Sequence, residues 1–190
     1  MSADKIITRR DIIKTGLLGG AVATGTLCAA GTARAASFVM PRADRYKVSF
    51  RNTHTGESFT GVYRVGDRYL PEAFDKINHV LRDFRVGEEF PIDPRTIDII
   101  YSVHQHTGRE NMFDVLSGYR SPKTNAMLRK ASTGVAKHSL HMTGQAIDLR
   151  LPGYDTYQLR KIAVNMKAGG VGYYRGSDFV HLDTGRVRYW

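Results

Sequence analysis

Ser139-Leu-His-Met-Thr-Gly-Gln-Ala-Ile-Asp148 is the stretch on which the reading of this chain turns. It sets an imidazole, His141, and a carboxylate, Asp148, seven positions apart. Gly144 between them can turn the chain sharply, and Ala146 is too small to crowd what lies beside it. Ala146 to Leu151 reads as a strand, in which Ala146 and Asp148 share one face and Ile147 and Leu149 take the core-facing one. A second histidine lies in Phe179-Val-His-Leu-Asp183. There the same period puts His181 and Asp183 together, opposite Val180 and Leu182.

The elements around that strand follow from periodicity and turn chemistry. Downstream, Asp155 with Gln158 forms a capping box for a helix striped by Leu159, Ile162, Ala163 and Met166 and stopped at Gly169-Gly170. Val171 to Tyr174, Phe179 to Leu182 and Arg186 to Tyr189 read as short strands in a meander. Upstream, a strand from Asn111 to Ser117 breaks into Gly118-Tyr-Arg-Ser-Pro122, and Ser121-Pro122 opens a helix running to about Ala131. Asp93-Pro94 starts another, ended by Gly108, and apolar spacing predicts a helix over Leu70 to Arg85 with Gly87 as its stop. Tyr46 to Thr53 and Ser58 to Val65 read as a hairpin. This order predicts an α+β fold, with a small central antiparallel sheet and helices packed to one side.

The 190 residues suit one domain with appendages. Thr8-Arg-Arg-Asp-Ile-Ile-Lys14 precedes a Gly/Ala-rich apolar run from Gly16 to Gly31, and Ala33-Arg-Ala35 offers a cleavage site. Residues 1–35 therefore read as a twin-arginine export signal, 36–67 as linker and hairpin, and 68–190 as the main domain. The run is too short and glycine-rich for a stable membrane anchor. Lys and Arg number 28 against 18 Asp and Glu. Loss of the signal would still leave a net charge of about +7, which favours anionic partners. The single cysteine, Cys28, falls in the apolar run, so metal chemistry in the mature chain would fall to His, Asp and Glu.

Catalytic zinc usually takes three protein ligands and keeps a position for water, and His141, Asp148 and His181 would make such a set. Spacing by itself leaves two readings open: a metal site, or ordinary buried and surface groups.

Ser139-x-His141-x-x-Gly144-x-Ala146-x-Asp148 with a distal histidine resembles the zinc signature of the superfamily of lysostaphin-type peptidases, D-Ala-D-Ala metallopeptidases and hedgehog domains. Ser117-Gly-Tyr-Arg-Ser-Pro122, Gly169-Gly-Val-Gly-Tyr-Tyr174 and Phe179-Val-His-Leu-Asp-Thr-Gly185 through Trp190 further resemble the YcbK-like murein endopeptidases. The likeness covers roughly residues 68–190. It implies the hedgehog/D-Ala-D-Ala-peptidase-like fold, Zn2+ held by His141, Asp148 and His181, a periplasmic location, and cleavage of peptide cross-links in peptidoglycan.

Carried over with it, Arg120 is expected to reach the substrate carbonyl or carboxylate. For the general base the resemblance leaves two positions, Asp178 and Asp183, with Asp183 slightly favoured as base or as a partner of His181. His138, Ser139 and Tyr173 are expected around the metal or along the substrate; Tyr174 and Trp190 are, with Tyr173, candidates for a substrate groove, although aromatics in strands more often belong to a core. His54, His79, His104 and His106 lack ligand spacing to one another. A terminal D-Ala carboxypeptidase and a non-catalytic zinc-containing wall-binding module are the alternatives. Export and the lack of a nucleic-acid motif argue against nucleic acid as partner, and a monomer is expected.

Overall fold

The computed structural model describes residues 38–132 and 134–190, and the signal segment falls outside them. Its eight strands are β1 (Arg45–Asn52), β2 (Ser58–Val65), β3 (Arg68–Tyr69), β4 (Phe113–Ser117), β5 (Ala146–Arg150), β6 (Gly170–Tyr174), β7 (Phe179–Asp183) and β8 (Arg188–Tyr189). The helices are α1 (Pro71–Val80), α2 (Pro94–Thr107), α3 (Pro122–Ala131) and α4 (Thr156–Met166). All strands join one mixed sheet in the order β3-β2-β1-β4-β5-β7-β6-β8. The fold is α+β as expected, but the sheet is larger than expected and includes two parallel pairs, β1 with β4 and β6 with β8. The hairpin thus belongs to the same sheet as the strands that follow it.

Helix starts obey local chemistry. Asp93, Ser121 and Asp155 each accept a hydrogen bond from an amide in the first turn of α2, α3 and α4. Gly108 ends α2 in the left-handed conformation, φ 62°. α1 stops at Val80, short of Arg85, because the following backbone is used elsewhere: the Leu81 carbonyl accepts from Tyr119 N at 2.7 Å, and buried Asp83 accepts from Ser121 N at 2.9 Å. The C-terminal strands are not a meander. β7 inserts between β5 and β6, and β8 returns parallel to β6.

One face of the sheet carries Phe50, Phe113, Val115, Ile147, Leu149, Val180 and Leu182, all almost fully buried in a core shared with Ile77, Ile97, Ile100 and Leu159 of the helices. α1 packs on β2, α2 on β1 and β7, and α4 on β6 and β7. Asp148, His181 and Asp183 alternate with these core residues and so project from the other face.

Candidate metal centre

One ladder pair and one turn build the centre. Asp148 and His181 are register partners in the antiparallel β5–β7 pair. Neighbouring strands lie about 4.8 Å apart, so pairing by itself brings the carboxylate to the imidazole. His141 arrives from a 3-10 turn, Leu140–Thr143, whose start is capped by Ser139 accepting from His141 N. Gly144 ends that turn at φ 66°, where a Cβ would collide with the Pro91 carbonyl oxygen. The loop is stapled at the glycine and at the residue after it: Asp93 N donates to Gly144 O at 3.0 Å, and Thr184 N to Gln145 O at 3.0 Å.

The three side chains are buried, at 3% exposure for His141 and 8% each for Asp148 and His181. Their candidate donor atoms all fall within 4.8 Å of one another. His141 Nδ1 sits 2.7 Å from the Gly118 carbonyl, and His181 Nε2 sits 3.0 Å from Asp183 Oδ2. Both outer nitrogens therefore carry a hydrogen and donate it, which turns the inner nitrogens, His141 Nε2 and His181 Nδ1, towards Asp148. His141 Nε2 is 3.3 Å from His181 Nδ1 and 3.3 Å from Asp148 Oδ2, and His181 Nδ1 is 2.8 Å from Asp148 Oδ1.

Three acceptors converging in a buried place call for a cation. Donors held by one tetrahedral zinc at about 2.0–2.1 Å lie about 3.3 Å apart, so the residues fit a His2Asp site with an open position. Without metal, a proton plays that part. Burial works against a charged His181, but hydrogen bonds to Asp148 and Asp183 overcome it and push the imidazole up to about 9. Burial likewise opposes the Asp148 charge, and His141 and His181 reverse that, holding the carboxyl far below its ordinary range.

Over the triad opens a cleft of about 430 Å3, lined by Arg120, His138, Tyr174, Phe179, Arg188 and Trp190 among others. Arg120 reaches it from a turn in which three successive amides are anchored: Tyr119 N on Leu81 O, Arg120 N on His141 O, and Ser121 N on Asp83. Its guanidinium stands 3.8 Å from Asp148 Oδ2, and its Nε is buried with no partner among the described residues. Burial pulls the Arg120 pKa down, and the Asp148 charge partly restores it. Trp190 lies on Gly172, where a Cβ would come within 2.7 Å of the indole, and its ring centre is 5.3 Å from that of His181. A larger trough of about 860 Å3 between β2 and α1 shares none of these residues.

Two expected positions, Asp178 and Tyr173, come out differently, and Asp183 takes the second of its two expected roles, the partner of His181. Asp183 sits on the far side of the His181 ring from Asp148. Its oxygens accept from His181, twice from Arg188 at 2.7 and 3.0 Å, and from the Gly170 and Gly185 amides. A carboxylate so occupied orients His181 and has no free lone pair for a base's work. Asp178 does not line the cleft; it turns at φ 51° and takes the Thr156 hydroxyl at the start of α4. Tyr173 points to the helices, beside Tyr157 and Arg160, because Gly172 takes the β6 position facing His181. Its neighbour Tyr174 lines the cleft instead. Asp83, Gly118 and Arg188 were not singled out as site residues. Their roles depend on contacts with distant elements or on a turn's exact path, which local spacing does not encode.

A family described as Peptidoglycan L,D-endopeptidase MepK matches residues 41–190. The chain belongs to this family. A relative in Escherichia coli (strain K12) with that name is 43% identical over 143 residues, 75% of this chain and 79% of its own. One in Shigella flexneri gives the same figures, and one in Haemophilus influenzae is 39% identical over 144 residues, 75% of this chain and 77% of its own. Membership confirms the resemblance to YcbK-like murein endopeptidases, and the centre lies within the stretch that the family covers.

Proposed function

We propose that this chain is a zinc-dependent peptidoglycan endopeptidase that hydrolyses peptide cross-links in the cell wall, exported by the twin-arginine route to the periplasm with loss of residues 1–35. The observation that carries the reading is the convergence of His141 Nε2, His181 Nδ1 and the Asp148 carboxylate under an open cleft. The relatives' name supports a bond joining an L to a D centre.

Zinc held by these three supplies a Lewis acid that acidifies water and polarises an amide carbonyl. The chain's own groups position everything else. Gly118 O and Asp183 fix both ring tautomers, so each histidine presents a lone pair at its inner nitrogen. Arg120 aims its guanidinium at the oxygen on which charge develops, and the trio of anchored amides keeps it there. Asp183 is saturated and Asp178 is turned away from the cleft, whereas His138 is among the groups that line it. Trp190 and Tyr174 wall the cleft against bulk water.

Mass spectrometry of cross-linked muropeptides after digestion tests this. The zinc-loaded chain is expected to convert dimers to monomers, and the EDTA-treated chain and His141→Ala to leave them whole. Intact dimers with the zinc-loaded chain would sink the proposal, and release of a terminal D-Ala alone would make it a carboxypeptidase.

A further inference from the structure

We infer that the face of the sheet that carries the metal centre is a docking surface for a carboxylate-bearing polymer, namely the acidic stem peptides of murein that extend beyond the bond at the metal. The identity of the polymer rests on the hydrolase reading above.

Strand register carries the surface outwards from the centre. Asp148 shares its face with Arg150, which pairs with Asp114 of β4, which pairs in turn with Arg51 of β1. Along β1 the residues alternating with the buried Tyr46, Val48 and Phe50 are Arg45, Lys47, Ser49 and Arg51. All of these face the same way as the metal ligands, and α1, α2 and α4 cover the opposite side. With strands about 4.8 Å apart and alternate residues about 6.7 Å apart, the first of these cations stands one side-chain length from the site.

The cations are arranged, not merely present. Asp114, nearly buried, accepts from Arg51 at 2.8 Å and lies 3.5 Å from Arg150, while the two guanidinium side chains stay 53% and 37% exposed. One inward carboxylate thus orients two forks and leaves their remaining N–H donors at the surface, where they suit carboxylates. Arg45 and Lys47 are exposed and form no ion pair among the described residues. The trough beside α1, by contrast, mixes Glu57, Glu72, Asp75 and Glu89 with Lys76 and His79. A polymer carrying carboxylates is drawn to the cations on the face that holds the metal.

The test is co-sedimentation of the EDTA-treated full chain with purified murein sacculi and with sacculi whose carboxyls have been amidated. The chain is expected to bind native sacculi, to be released by salt, and to bind amidated sacculi at least tenfold more weakly. Lys47→Glu with Arg51→Glu should weaken binding to native sacculi at least tenfold. Arg45→Glu with Lys47→Glu should act in the same direction without breaking an ion pair, which separates charge from misfolding. Parental binding by both double variants, or equal retention on amidated sacculi, overturns the inference. A chain that binds in the expected way yet cuts nothing with zinc supports the surface and defeats the hydrolase reading.

Discussion

His181 Nε2 donates to Asp183 Oδ2 across 3.0 Å, two positions along one strand and on the side of the ring away from Asp148. That bond decides which nitrogen is left to face the cleft, and Arg188 holds the carboxylate against rotation with two further bonds. Removal of a partner that orients a metal-binding histidine typically costs 10- to 100-fold in metal affinity. Asp183→Asn is therefore expected to weaken zinc binding by about that factor, measured by competition with a chromophoric chelator. Unchanged affinity would mean that Asp183 serves Arg188 alone.

Arg120 offers a different signature. Lysine keeps the charge but not the planar fork, and the anchored turn cannot shift to compensate. Arg120→Lys should lower kcat on a muropeptide dimer by about 10²- to 10³-fold, with zinc content still one per chain by atomic absorption. Loss of zinc together with rate would place the arginine's work in the centre's structure.

The metal-free centre should be sensitive to alkali. His181 titrates near 9 in the folded chain against an ordinary value of 6.5, since Asp148 and Asp183 outweigh the burial that disfavours its charge. The folded state thus binds this proton more tightly than the unfolded state. Its contribution is complete below about pH 6.5 and disappears as pH rises through about 9. Thermal melting of the EDTA-treated chain should show a midpoint falling between pH 7 and 10, and zinc, which replaces the proton, should flatten that fall. A pH-independent midpoint without metal would contradict the assignment.

Gly144→Ala probes the turn beneath His141. The left-handed backbone alone costs a non-glycine residue about 1–3 kcal/mol, and the Pro91 carbonyl leaves no room for the methyl group. Urea unfolding should show a loss at the upper end of that range or beyond, accompanied by weaker zinc retention.

While the family resemblance chose the metal reading over ordinary buried groups, His141, Asp148 and His181 stood out by local placement: a glycine turn followed by strand alternation, and alternation again 33 residues later. Helix starts at Asp93, Ser121 and Asp155 were legible for the same reason. The end of α1 was not, since the pattern of Val80, Leu81 and Phe84 continues smoothly. What stops the helix is the amide of Tyr119, a contact made only after folding. The insertion of β7 between β5 and β6 is equally non-local. Tyr173 and its neighbour Tyr174 were not told apart by composition, yet one residue in a strand reverses the face; Gly172, the small residue opposite His181, was the available clue.

Because Asp148 and His181 meet as ladder partners, occupancy of the centre proofreads the alignment of β5 on β7. A slip of β5 by one residue would turn Asp148 into the hydrophobic layer while His181 stayed on the outer face, and so abolish the site. If the centre takes zinc as proposed, the zinc stoichiometry of a refolded sample counts the molecules whose strands have come together correctly, and chelation during refolding should lower that yield.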